Sequence, residues 1–275
     1  MTKTWLVTGG SRGLGRSIVE RALAAGNKVV ATARNIESLN ELDERYGDQV
    51  LRFALDVTDP DQANAAVQAA VDRFGRLDVV VNNAGYANLE SIEEVDLADF
   101  RAQVEAVFFG TVHVTKAALP VFIAQGAGHF FQVTSIGGRG TSPAISAYQS
   151  AKFATEGFSG VLNDEVKHLG IKVTMVEPGL MRTDWSGPSM VMRPYHARYQ
   201  PVFAPLFDHL RDSRGTEPID PDKVATVLLD LAELDEPPLH LVLGSDAVER
   251  VKIGMSHQMA QDERWADVGR SVDFD

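Results

Sequence analysis

The residues Trp5 to Gly15 read WLVTGGSRGLG. Trp5-Leu6-Val7-Thr8 is a short continuous apolar run, the pattern of a strand buried on both faces. The glycines that follow are spaced Gly9-x-x-x-Gly13-x-Gly15 and open a helix over Arg16 to Ala25. Glycines let a backbone turn tightly and approach a pyrophosphate, and a helix N-terminus offers unpaired N–H groups and positive dipole. Gly9, Ser11, Arg12, Gly13, Leu14 and Gly15 are therefore expected to contact a dinucleotide.

The alternation continues. Strands are expected at Asn27–Ala33, Val50–Leu55, Leu77–Val81, Gly128–Thr134, Ile171–Val176 and His240–Leu243. Helices are expected at Asn35–Tyr46, Asp61–Phe74, Asp96–Gln125, Ala147–Leu169, Asp222–Leu234 and Asp246–Asp262, the last followed by a polar tail. Strands alternating with helices imply α/β architecture: a doubly wound parallel sheet of about seven strands with helices on both faces. No internal repeat or linker interrupts it, so residues 1–275 are read as one domain. Trp185 to Thr216 breaks the rhythm with Pro188, Pro194, Pro201 and Pro205 among Tyr195, Tyr199, Phe203 and Phe207. This stretch is expected to form a lid over a substrate pocket.

Such sheets bind ligands at the carboxyl ends of their strands. Gly9, Arg34, Asp56, Asn83, Ser135 and Pro178 all fall there. Asp56, followed by Val57, is placed to accept from an adenine amino group; helix capping is the plainer alternative. Asn82-Asn83-Ala84-Gly85 is a small-residue turn that brings backbone close to a ribose, with Asn83 tying the strand end. Where an acidic side chain would accept from the ribose hydroxyls stands Ala33, followed by Arg34. With Arg12 in the glycine turn, two guanidinium groups suit a phosphate dianion, so NADP(H) is expected over NAD(H).

Thr134 to Lys152, TSIGGRGTSPAISAYQSAK, carries the chemistry. Tyr148 and Lys152 are four apart and share a helix face. An ammonium beside a phenol lowers the phenol's pKa, which suits proton exchange with a substrate oxygen. Ser135, from a strand end, can hydrogen-bond the same oxygen.

Composition narrows the partners. The net charge is −12 and no basic block occurs, which disfavours nucleic acid and anionic membranes. With no cysteine, thiol chemistry, disulfides and cysteine metal sites are excluded. The seven histidines form no ligand spacing, so no metal is expected. No apolar run is read as long enough to span a membrane, and no leader precedes the first strand, so a cytoplasmic protein is expected.

Together these motifs resemble the short-chain dehydrogenase/reductase family, over about residues 3 to 185. The glycine spacing is similar to that of its dehydrogenase and reductase members; the branch that includes sugar epimerases spaces them Gly-x-x-Gly-x-x-Gly. The resemblance implies a Rossmann fold and hydride transfer between a nicotinamide and a carbonyl or secondary alcohol. It implies Tyr148 as general acid/base, Lys152 depressing its pKa and holding the nicotinamide ribose, and Ser135 orienting the carbonyl. Pro178, Gly179 and Thr183 would border the nicotinamide. The lid looks similar to those of members that act on bulky hydrophobic alcohols. Family habit implies a homodimer or homotetramer through the fourth and fifth helices. One departure stands out. The family usually carries an asparagine three residues before a glycine such as Gly110, where it supports a water in the proton relay; here the residue is Val107. This motivates an alternative reading, an NADP(H)-binding sensor or partner subunit with weak catalysis.

Overall fold

The computed structural model describes residues 2–186 and 190–274. Pro188, one of the lid prolines, lies outside them. The order is β1 (Thr4–Val7), α1 (Gly13–Ala24), β2 (Lys28–Ala33), α2 (Asn40–Tyr46), β3 (Val50–Ala54), α3 (Pro60–Phe74), β4 (Val79–Asn82) and β5 (Asn88–Leu89). There follow α4 (Leu97–Val104), α5 (Gly110–Gln125), β6 (Gly128–Val133), α6 (Ser146–Val166), β7 (Ile171–Pro178), β8 (Val191–Met192), α7 (Gln200–Asp212), α8 (Pro221–Ala232), β9 (His240–Leu243) and α9 (Ser245–Arg270).

Seven strands form one sheet in the order β3-β2-β1-β4-β6-β7-β9. Every pairing in it is parallel. β5 and β8 pair separately. A parallel sheet needs cover on both faces, and the period-two direction of side chains divides the core accordingly. Trp5, Val7, Val79, Val81 and Phe131 join Ile18 of α1 and Leu228 of α8 in one cluster. Leu6, Val80 and Phe130 join Val67 of α3, Val114 of α5 and Leu162 of α6 in the other. This is the expected doubly wound architecture.

Helix starts follow local chemistry. Asp59 accepts from the N–H groups of Asp61 and Gln62 ahead of Pro60, and Asp220 accepts from Asp222 ahead of Pro221. Both are Asp-Pro starts, with a side-chain cap and a proline where no N–H is needed. Asp96 caps α4 in the same way.

Four expectations need correction. The segment after Asn35 is not one helix: the Asn35 side chain caps a 3₁₀ turn, Ile36–Leu39, before α2 begins. The long helix from Asp96 is interrupted by a π turn over Glu105–Phe109, which contains Val107. The polar tail is not separate, because α9 runs on to Arg270 where no proline stops it. Finally, Leu97–Gln125 is long and apolar enough to cross a membrane by length and composition, at a hydropathy of 1.6. Its apolarity has another use here: Val114, Ala118 and Phe122 pack into the second core cluster. Its Thr115 accepts from Asn82 and Gln132 side chains of the sheet, at 3.0 and 3.1 Å.

His129 on β6 is buried, and its ring lies 4.0 Å from that of Phe131. The Thr174 hydroxyl gives its proton to the Pro238 carbonyl at 2.8 Å, so His129 Nε2 donates to that hydroxyl at 3.0 Å. Nδ1 is buried and unpartnered. Burial, aided by Lys172 and Lys3, pushes the imidazole pKa down to about 3. A depressed histidine stabilises the fold above its unfolded pKa near 6.5 and loses that contribution as pH falls toward the folded value. Stability should therefore fall between about pH 6.5 and 3, by up to about 1.4 kcal/mol per pH unit from this group. Denaturant midpoints across that range should show the decline, and a flatter acid limb in His129→Gln.

Candidate active site

The carboxyl ends of β1, β2, β3, β4, β6 and β7 open into one cleft of about 1050 Å³. Gly9, Ser11, Arg12, Gly13 and Leu14 line it from the first turn, and Arg34, Asp56 and Val57 from the next two strand ends. Asn83, Ala84 and Gly85 line its middle, and Ser135, Tyr148, Lys152, Pro178, Gly179 and Thr183 its far end. The structure thus brings together every residue singled out from the sequence but one. Gly15 lies beneath the cleft, where an added Cβ would stand 2.2 Å from the Gly9 carbonyl oxygen and 2.5 Å from Asn83 Nδ2. Its bare Cα makes room for the protein's own backbone rather than for a ligand.

Thr8 and Asn83 hold the cleft floor. The Thr8 hydroxyl accepts from the N–H groups of Asn83 and Ala84 at 2.9 and 3.0 Å. Asn83 Nδ2 donates to the Thr8 carbonyl at 2.9 Å, so the asparagine does tie the strand ends. Asp56 accepts from the N–H and hydroxyl of Thr58, at 3.0 and 2.8 Å. It is not the helix cap, which is Asp59.

Arg12 and Arg34 are exposed at the cleft rim. Among the described residues neither is in an ion pair. Asn35 and Ser38 border the same end.

At the other end, Ser135 starts a 3₁₀ turn, and its Oγ accepts from the Gly137 N–H at 3.0 Å. Tyr148 and Lys152 sit in the first two turns of α6, both buried. Burial pushes the Tyr148 hydroxyl up to about 12, with a hydrogen bond to Ser135 working the other way. The Lys152 ammonium lies 5.5 Å from the Tyr148 ring centroid and donates to the Val133 carbonyl at 2.6 Å. In this arrangement desolvation outweighs any lowering by the lysine, so the phenol lies above its ordinary value rather than below it. Burial also lowers Lys152 to about 8, opposed by Glu156 one helical turn on.

Behind Lys152 lies a second polar cluster. Ligand atoms of Glu156, Glu177 and His240 all lie within 4.8 Å of one another, a grouping that sequence spacing did not show. A cation is already supplied: Arg139 Nη1 donates to both Glu177 oxygens, at 3.1 and 2.9 Å.

Sequence reasoning missed Tyr86 and Glu105 on the cleft wall, and it placed Trp185 only as the first residue of the lid. The Trp185 ring packs against that of Tyr148, centroids 5.4 Å apart. Beyond it, Tyr195, Tyr199, Phe203 and Phe207 stack within the expected lid segment. That segment is tied down by β5–β8 pairing, an Arg193–Asp99 ion pair and a Tyr199 hydroxyl bond to Glu93 at 2.6 Å. Val107 is fully buried beside Ala87, Leu89 and Tyr148, and its carbonyl accepts from the Thr111 hydroxyl at 3.1 Å.

A glycine turn, a strand-end asparagine and a Ser–Tyr–Lys group on one cleft of a parallel sheet define a nucleotide-dependent redox fold. The short chain dehydrogenase family model matches residues 3–192, and the chain belongs to that family, as an oxidoreductase. It is similar to oxidoreductase BOA17 of Botryotinia fuckeliana, 48% identical over 269 residues that cover 98% of each chain. A solved short-chain dehydrogenase of Streptomyces avermitilis matches over all of both chains, at 36% identity and a TM-score of 0.93. ElxO, solved with NADP bound, matches 90% of this chain and all of its own, at 26% identity and a TM-score of 0.76.

Gly15→Ala should cost about 1–3 kcal/mol by overpacking. A lowered thermal midpoint checks it; an unchanged midpoint would mean that the Gly9 carbonyl yields freely.

Proposed function

We propose that this oxidoreductase interconverts a carbonyl and a secondary alcohol on an apolar substrate, with NADP(H) preferred over NAD(H). The observation that carries this reading is the convergence of Ser135, Tyr148 and Lys152 at the apolar end of a cleft whose other end holds two unpaired guanidinium groups. When bound, the nicotinamide would supply or accept the hydride at the substrate carbon.

The residues fit such a group. Gly9 and Gly13 adopt positive φ, +66° and +54°, which glycine takes without strain and which shapes the turn at the start of α1. Arg12 and Arg34 would hold a ribose phosphate. NADP in ElxO is consistent with that preference. The Ser135 hydroxyl would donate to the substrate oxygen. Tyr148 would pass its proton to that oxygen in reduction and recover it in oxidation. A phenol near 12 stays protonated at neutral pH, which suits the reducing direction. The charged Lys152 would favour the transient phenolate, and its charge is lost as pH rises through about 8. Trp185 and the aromatic segment behind it would form the lid that selects apolar substrates. Phe109, Phe153 and Val161, exposed on the long helices, support association through those helices.

The second reading, cofactor binding with weak catalysis, draws on Val107, whose side chain offers no hydrogen bond. Val107→Asn distinguishes them: a raised proton-transfer rate would assign Val107 as limiting, and an unchanged rate and pH profile would dismiss it.

The test is NADPH and NADH consumption with a panel of aldehydes and small and bulky ketones. Tyr148→Phe should abolish turnover while NADPH still binds. Turnover that persists in Tyr148→Phe would overturn the assignment of the proton donor. Reduction should decline on the alkaline side with an apparent pKa near 8. Replacing Arg12 and Arg34 by Ala should weaken NADPH binding by roughly 10- to 100-fold relative to NADH. A wild-type preference for NADH would refute the phosphate role.

A further inference from the structure

The helix α9 leaves several large apolar side chains uncovered along most of its length. Its 26 residues span about 39 Å, and only its first turns touch the body. There Ala247 is buried, Arg250 donates to Ser142, and Arg139 donates to the Met255 thioether at 3.2 Å. Beyond Ser256 nearly every residue is exposed, Met259 at 69% and Trp265 at 59%. Most of the stability of a protein helix comes from packing one of its faces.

One face of α9 is self-complementary when reversed. At 100° per residue, Val248, Lys252, Met255, Met259, Asp262 and Ala266 form a single stripe with alternating four- and three-residue steps, seven residues apart in register. Val248 and Met259 on this stripe are more than half exposed, and Met255, although it receives Arg139, is 48% exposed, so the stripe lies open beside the face that docks on the body. Reversing the helix about residue 257 sets Val248 against Ala266, Lys252 against Asp262 and Met255 against Met259. Each pairing occurs twice across a two-fold axis. The apolar layers meet apolar layers, and each ammonium meets a carboxylate. Glu263, flanking the same face, also lies beside Lys252 of the opposed helix, which adds to the match.

We propose that α9 pairs antiparallel with α9 of a second copy of this chain, with the axis near residue 257. The charge pattern chooses this occupant. A parallel pair would oppose Lys252 to Lys252 and Asp262 to Asp262. A lipid surface is disfavoured, because residues 245–275 carry seven acidic and four basic side chains. The pairing is separate from the long-helix association above and independent of the cofactor reading.

The absence of cysteine makes the test direct. Met255→Cys and Met259→Cys variants, each folded as the full chain, are mixed and oxidised. The mixture should form disulfide-linked dimer at least tenfold faster than His257→Cys, which lies at the same level on the opposite face of the helix. Equal rates would overturn the proposal, whatever mass the protein has through other surfaces. A charge swap gives the second arm, read by sedimentation equilibrium with thermal midpoints as the folding control. Lys252→Asp and Asp262→Lys should each weaken association tenfold or more, and the double variant should restore it. Failure of the double variant to recover what the singles lose would also overturn it.

Discussion

The hydrogen bonds between the ends of β1 and β4 are the constraint on which the cleft depends. Thr8 and Asn83 are 75 residues apart in sequence. A single hydroxyl satisfies two backbone N–H groups there, and the asparagine amide returns the bond to the Thr8 carbonyl. Unmade, these groups would be stranded at a partly buried strand end at a cost of about 1–3 kcal/mol each. The same amide stands within 2.5 Å of where a Gly15 Cβ would be, so the helix can begin close under the strand only with glycine. The turn, the helix start and the neighbouring strand end are fixed by one shared contact, and the cleft inherits its shape from it.

The chemistry at the far end comes from desolvation more than from pairing. Tyr148 and Lys152 occupy the first two turns of α6 in a largely apolar surround, and burial moves both toward their neutral forms. Val133, whose carbonyl receives the lysine, is the last residue of β6. The sheet therefore positions the lysine through its main chain, independently of the tyrosine. Behind the lysine, Glu177 is fully buried but answered by Arg139, and burial holds the Glu156 carboxyl above its usual range. A charged pocket of this kind is tolerable in a protein interior only because partners accompany each charge.

The strand ends were legible because apolar runs and turn residues report the sheet directly, and a sheet of this type gathers its strand ends in one place. Ser135 and Arg34 were placed on that ground, and Tyr148 by its helical spacing from Lys152; all three line the cleft. Gly15 shows the limit of the method: close approach to a ligand and close approach to the protein's own backbone call for the same residue. Tyr86 was missed as cleft wall because side-chain direction from a loop has no period to read. The π turn at Glu105–Phe109 was missed since its residues are ordinary helix formers; Val107 within it packs into the core. The last residues of α9, from Glu263, were read as tail because polar side chains dominate them.

The strand order has a consequence for how the molecule comes into being. β1 pairs with β2 over four residues, Thr4 to Val7, and with β4 over three, Trp5 to Val7, and β6 joins on the far side of β4. Parallel pairing across such separations closes large loops before it returns any contact, which makes folding slow. The cleft draws residues from Gly9 through Trp185, so no chain that stops short of them can assemble it. During synthesis the N-terminal βαβ unit can organise early, while the cleft must wait until β7 and the segment after it have left the ribosome, and the sheet is complete only once β9 has joined β7. Activity is therefore a late-arriving property of this chain, and its recovery on refolding reports completion of the whole sheet rather than of any one part.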